Sequence, residues 1–83
     1  MSKDDLDVIR KKIDAIDWEI VQLLNQRIEI SVRARKLKQQ IFDPIREQQI
    51  FENVKNHTGR LMSPQAAENI YREILKESKH AQE

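Results

Sequence analysis

The stretch that decides the fold is residues 6–41, which read LDVIRKKIDAIDWEIVQLLNQRIEISVRARKLKQQI. Apolar side chains recur there at alternating spacings of three and four, a helical stripe sustained over about five heptads. The members of this stripe are Leu6, Ile9, Ile13, Ile16, Ile20, Leu23, Ile30, Ala34, Leu37 and Ile41. Neither Gly nor Pro interrupts it, so the pattern predicts one long first helix.

Such a helix is too long for a compact monomer. At about 1.5 Å per residue it extends roughly 55 Å, whereas a small domain is about 30 Å across. The chain has 83 residues, which we interpret as a single domain over 1–83, and it has no cysteine for a disulfide. A second copy of the chain is the simplest cover for the excess helix, so we expect a homodimer.

Charge and hydropathy exclude several classes of protein. The formal net charge is +1, from 15 basic and 14 acidic residues, which is not the polybasic footprint of a nucleic-acid-binding protein. The beginning of the chain, MSKDDLDVIRKK, lacks the apolar core of a signal peptide, and no apolar run approaches the length of a membrane span. We therefore expect a cytoplasmic protein that acts without nucleic acid or membrane.

Two further helices follow from capping signals. Asp43-Pro44 and Ser63-Pro64 each place a capping side chain before a proline suited to the first helical position. Gly59 is the stop signal of the second helix. The sequence thus predicts an all-α fold of one long and two shorter helices. Their predicted ranges are about 4–40, 44–58 and 64–82.

Arg27 stands where the long stripe requires an apolar residue. A buried guanidinium is costly without an anion, so either a carboxylate of a neighbouring helix pairs with it or the stripe opens into a polar pocket. Lys38 falls on the same face about 16 Å further along, with the small residues Ser31 and Ala34 between the two cations. This arrangement would suit a dianionic ligand.

Other polar residues have both a functional and a structural interpretation. Ser78 and Gln82 extend the apolar stripe of the third helix, either as ligands or as a fraying end. Asp43, Arg46 and Glu47 place three charges in the first turn of the second helix. Helix capping explains Asp43, and the helix dipole explains Glu47, without any ligand.

Arg10 and Lys38 are also open to two interpretations. Arg10 lies about 100° around the first helix from Arg27, so it is either a solvated charge or a residue that reaches the pocket of a partner. Lys38 stands near a helix C-terminus, where the dipole favours a cation in any case. No Gly-rich phosphate loop, nucleophile–base pair or metal-ligand cluster is visible, and we expect neither a cofactor nor a metal.

Five spaced elements occur together along the chain. IRKKIDAID over residues 9–17 is followed by the pair Leu23-Leu24 and by Arg27, and Lys38 stands eleven residues after Arg27. DPIRE over residues 43–47 and the C-terminal Ser78 and Gln82 complete the set. This combination resembles the AroQ family of all-helical chorismate mutases, whose motifs include I-R-x-x-I-D-x-I-D and D-x-x-R-E. The resemblance covers nearly the whole chain.

The resemblance implies an intertwined homodimer that converts chorismate to prephenate in aromatic amino-acid biosynthesis, an isomerase that needs no cofactor. It implies that Arg27 binds one substrate carboxylate and that Arg10 of the partner subunit binds the other. Lys38 and Gln82 would donate hydrogen bonds to the ether oxygen.

The resemblance assigns the remaining polar residues as well. Glu47, with the backbone at Asp43, would hold the ring hydroxyl, while Arg46 would brace Glu47 and Ser78 would contact a carboxylate. The chain departs from the family in two respects. Its connection from Lys38 to Asp43 is shorter by about one helical turn, which requires a tight passage between the first two helices. Lys79 occupies a place where some members carry an apolar residue.

Two other functions remain open. Isochorismate–pyruvate lyase or aminodeoxychorismate mutase on the same scaffold would share the arginines and the lysine, and a product assay separates them from the ordinary mutase. A non-catalytic dimerisation or regulatory module would use the long stripe as a coiled seam. In such a module, the polar residues within the apolar stripes would have no role. These residues are Arg27, Ser78 and Gln82.

Overall fold

The computed structural model of the chain describes residues 3–37 and 43–83, which form three α-helices. They are α1 (Lys3–Arg35), α2 (Pro44–Lys55) and α3 (Pro64–Gln82). These two ranges contain no strand, and the all-α prediction is confirmed for them. None of the described helices combines the length and the hydropathy needed to span a membrane.

The first helix ends at Arg35, earlier than the predicted end near residue 40. The backbone amides of Lys36 and Leu37 donate to carbonyls three residues earlier, at 3.2 and 2.9 Å. Such i to i+3 bonds tighten the last turn and end the helix there. Lys38, the predicted second cation of this face, lies outside the described residues.

Side-chain caps begin the two shorter helices. Asp43 Oδ1 accepts from the backbone amide of Arg46 at 3.1 Å, and Ser63 Oγ accepts from the amide of Ala66 at 3.0 Å. Each bond satisfies a donor that the first helical turn would otherwise leave unpaired. The Asp-Pro and Ser-Pro signals in the sequence therefore act as caps.

The end of α2 also differs from the prediction. The helix ends at Lys55 rather than near residue 58. The ring nitrogen Nδ1 of His57 lies 2.6 Å from the carbonyl oxygen of Asn53, and the His57 amide donates to Val54 at 3.1 Å. The side chain of His57 thus occupies the carbonyl that a further helical amide would use. Gly59 follows with a φ of +72°, a left-handed conformation suited to glycine.

The third helix is central to the packing. It contacts both α1 and α2, whereas α1 and α2 do not pack on each other within the described residues. The buried hydrophobic side chains of the described ranges, Ala67 and Leu75, both belong to α3. A space is therefore left between α1 and α2, and side chains of α3 line it. The candidate site lies in this space.

Most of the α1 stripe is uncovered in the single chain. The molecule measures 56 × 24 × 15 Å and has a radius of gyration of 16.3 Å, against about 12 Å for a compact chain of this length. The exposed stripe residues of α1 before Arg27 are Leu6, Ile9, Ile13, Ile16, Ile20 and Leu23. One chain alone thus buries little of the surface that its sequence pattern marks as core.

Glu68 joins α3 to α2 by an ion pair with Lys55 and also pairs with Arg72 of its own helix. Its carboxylate lies 3.1 Å from Lys55 Nζ and 3.3 Å from Arg72 Nη2. The hydrogen bond from Lys55 lowers the pKa of Glu68, and the charges of Lys55 and Arg72 lower it further. Because the folded-state pKa is lowered, this carboxylate contributes stability above its unfolded pKa. The contribution is lost as the pH falls through the folded-state pKa.

Glu68→Gln is expected to lower the free energy of unfolding at neutral pH, since an amide cannot form these ion pairs. The deficit should shrink at acid pH, where the wild-type carboxylate is also neutral. Denaturant unfolding followed by circular dichroism at both pH values measures this. Glu73→Gln, which removes the same charge from an exposed position of α3, is the matched control and should change little. An equal deficit for Glu68→Gln at both pH values would contradict the account.

Candidate active site

A cavity of about 390 Å³ lies between the end of α1, the start of α2 and the end of α3. Polar residues singled out in the sequence converge on it from all three helices. They are Arg27, Asp43, Arg46, Glu47, Ser78 and Gln82. Ile30, Ile50 and Leu75 supply apolar lining, which reduces the screening of charges by water.

The Arg27 guanidinium is anchored by α3. Its Nη1–H donates to Ser78 Oγ at 2.9 Å, and its central carbon lies 5.9 Å from the centre of the Tyr71 ring. Ser78 is only 3% exposed, so this hydroxyl is a fixed, buried acceptor. No carboxylate within residues 3–37 and 43–83 forms an ion pair with Arg27. Its other N–H donors therefore remain available to an anion in the cavity.

Glu47 pairs with a lysine across the cavity rim. Lys79 Nζ lies 2.5 Å from Glu47 Oε2, and the two side chains are 32% and 21% exposed. Arg46, which the resemblance assigned to brace Glu47, instead directs Nη1 to Gln49 Oε1 at 3.4 Å. The reason is geometric, because consecutive residues on a helix point about 100° apart and do not face each other. Lys79 faces Glu47 from the opposing helix.

Lys79 lines the cavity, whereas the sequence interpretation noted it as a departure from the family and did not assign it to the site. Leu75, Ser78, Lys79 and Gln82 all line the cavity, which is the spacing of a single helix face. Extending that face to the fourth residue after Leu75 would have found it. The residue stood outside the motif set, and a lysine near a helix C-terminus needs no ligand to explain it.

Gln82 lines the cavity, and its side-chain oxygen has no hydrogen-bond partner among the described residues. Its Nε2–H donates to the backbone carbonyl of Ser78 at 3.1 Å. Its Oε1 is buried and has no hydrogen-bond partner among the described residues. A buried acceptor of this kind is costly when unpaired, so a donor brought into the cavity would be stabilised there. The second N–H of the amide remains for an acceptor.

The charges of the cavity lining favour an anionic ligand. Three cations, Arg27, Arg46 and Lys79, face two carboxylates, Asp43 and Glu47, in the part of the chain that is described. Asp43 is compensated by the positive N-terminal end of α2, since its side chain caps that helix. The excess positive charge is thus left to bind an anion that also carries hydrogen-bonding groups.

Arg10 does not reach this cavity within its own chain. It is exposed on α1, and the helix between it and Arg27 extends about 25 Å. Lys38 falls outside the described residues, so its position relative to the cavity is not defined. The single chain therefore gathers the other predicted polar residues of the described ranges and leaves Arg10 apart from them.

Comparison with known proteins identifies the family of the chain. Residues 9–83 match the family chorismate mutase type II. The chain is 38% identical over 80 residues to a bifunctional chorismate mutase/prephenate dehydratase of Aquifex aeolicus (strain VF5), an alignment that covers 87% of this chain and 22% of that protein. The chain thus spans about a fifth of the length of that curated relative. The resemblance inferred from the spaced motifs is confirmed. The chain belongs to the chorismate mutase type II family.

Proposed function

We propose that this chain rearranges chorismate to prephenate in a homodimer whose active sites each draw on both chains. The observation that carries the proposal is the Arg27 guanidinium, held by Ser78 at one side of a cavity that the family's polar residues line. The dehydratase part of the relative's name is not carried over, because the matched family is that of the mutase.

The reaction needs little chemistry from the protein. One C–O bond breaks as one C–C bond forms within the same molecule, so neither a nucleophile nor a proton transfer is required. The protein contributes by holding the compact diaxial conformer and by stabilising negative charge on the ether oxygen. Arg27, oriented by Ser78, binds one carboxylate of the dianion through charge-assisted hydrogen bonds.

The other lining residues have complementary roles. Glu47 accepts a hydrogen bond from the ring hydroxyl, next to the backbone of Asp43 at the start of α2. One N–H of the Gln82 side-chain amide donates to the α3 backbone, and the other donates to the ether oxygen. Lys38 is the second donor to that oxygen. Arg46 contributes positive charge to the wall. Donors fixed before the reaction begins stabilise the transition state without reorganisation.

A second copy of the chain is the proposed cover for the α1 stripe. Ile16 and Leu23 are 55% and 61% exposed, and burying such residues is the main favourable contribution to association. Two α1 helices that cross antiparallel near residues 18–19 would bring Arg10 of one chain level with Arg27 of the other. The partner would then supply the cation for the second carboxylate.

The activity is tested by the loss of chorismate ultraviolet absorbance on adding purified protein, with the product identified by chromatography. We expect prephenate, and we expect Arg27→Ala to lower turnover by about two orders of magnitude, the scale for a lost charge-stabilising donor. Arg33→Ala, on the exposed side of the same helix, is the control and should retain activity. A folded wild-type dimer that leaves chorismate unchanged would contradict the proposal, and isochorismate would be the next substrate.

The shared site is tested by mixing two inactive variants. Arg10→Ala and Arg27→Ala homodimers should each be nearly inactive. After subunit exchange, every mixed dimer has one site with both substitutions and one site with neither. An equal mixture should therefore recover about a quarter of the wild-type activity. A mixture that exchanges subunits, as shown by mass spectrometry, and recovers nothing would contradict the shared site.

A further inference from the structure

We propose that Lys79 determines specificity: through its ion pair with Glu47 it makes the site accept a ring hydroxyl and reject an ammonium group at the same ring position. This inference rests on the proposed function, because Glu47 is there the acceptor for the hydroxyl. Lys79 acts through Glu47 and is therefore a positioning residue.

The geometry links Lys79 to one carboxylate oxygen of Glu47. Lys79 Nζ lies 2.5 Å from Glu47 Oε2, so the pair joins α3 to α2 along the cavity rim. Both residues also line a second groove, so the ion pair borders both spaces. The side chain of Glu47 is thereby fixed in direction before a substrate arrives.

Partial burial makes the pair more than a surface contact. The two side chains are 32% and 21% exposed, so water screens their charges less than it would on an open helix face. With the ammonium in place, the local charge around Glu47 is close to neutral. The carboxylates of an incoming dianion are then not repelled by it.

The charge of a substituent decides how it fits beside this pair. A lone carboxylate would bind an ammonium group more strongly than a hydroxyl, because both charges then assist the hydrogen bond. Beside Lys79, an ammonium within hydrogen-bond distance of Glu47 would lie about 5 Å from a second ammonium, and the two would repel each other. One unit charge at this distance changes the affinity for a cation by about tenfold or more. A neutral hydroxyl is little affected.

The experiment compares two substrates that differ in this substituent, chorismate and aminodeoxychorismate. kcat and KM are measured for both at neutral pH, and the ratio of their kcat/KM values is the readout. We expect wild type to favour chorismate. Lys79→Met, which keeps the length and removes the charge, should shift the ratio towards the amino substrate by about tenfold. The shift should come mainly from KM.

Three matched variants distinguish charge from packing. Lys79→Arg keeps the cation and should keep the wild-type ratio. Lys76→Met removes a cation from the same helix outside the catalytic cavity and should leave the ratio unchanged. In a Glu47→Gln background no carboxylate holds Lys79 beside the amino group, so the shift caused by Lys79→Met should be smaller than in the wild-type background. Circular dichroism melting of each variant establishes that it is folded.

The possible results distinguish a failure of this inference from a failure of the proposed function. If wild type rearranges chorismate and Lys79→Met leaves the ratio within about twofold, the inference is overturned while the proposed function stands. A loss of selectivity in Lys79→Arg equal to that in Lys79→Met would also overturn it, because packing would then be the cause. If wild type prefers aminodeoxychorismate, the inference fails. If wild type rearranges neither substrate, the proposed function fails first and the inference fails with it.

Discussion

The hydrogen bond from Arg27 to Ser78 is the interaction on which the arrangement of the site depends. It joins α1 to α3 at the point where an apolar stripe contains a guanidinium. A cation in this place destabilises helix packing unless its N–H groups find acceptors. Ser78 and the Tyr71 ring satisfy part of that requirement, and an anion in the cavity would satisfy the rest. The same residue therefore weakens the core and lines the candidate site.

The position of α3 explains why a cavity forms beside this bond. Because α3 packs against both other helices while α1 and α2 do not pack on each other, the space between them is lined by α3 side chains. Ala67 and Leu75 are too small a core for a stable chain of this length. The uncovered α1 stripe and the small core of the described residues support the proposal that a second copy completes the fold.

The sequence anticipates the features that local rules control. The capping residues Asp43 and Ser63 begin their helices, and the break of period at Arg27 marks the cavity. Helix ends are less predictable, since periodic residues continue to Leu37 while the chain has already turned after Arg35. Contacts between side chains of different helices are the least predictable feature.

The ion pair of Glu47 shows why contacts between helices are hard to predict from the sequence. The resemblance pointed to Arg46, its neighbour in sequence, but adjacent helical side chains diverge, and Lys79 of another helix holds the carboxylate. Such a pairing depends on the crossing of α2 and α3, which no local pattern encodes. The cap, the stripe and the period break can be read from neighbouring residues, whereas this ion pair requires the fold.

The central claim is that Arg27 binds the ligand and does not stabilise the fold. Replacing it with leucine, which continues the stripe, and measuring both the free energy of unfolding and the turnover of chorismate tests this most directly. The account predicts a dimer at least as stable as wild type with turnover lost. A variant that loses stability and keeps its turnover would show that the guanidinium supports the fold and that the catalytic site lies elsewhere.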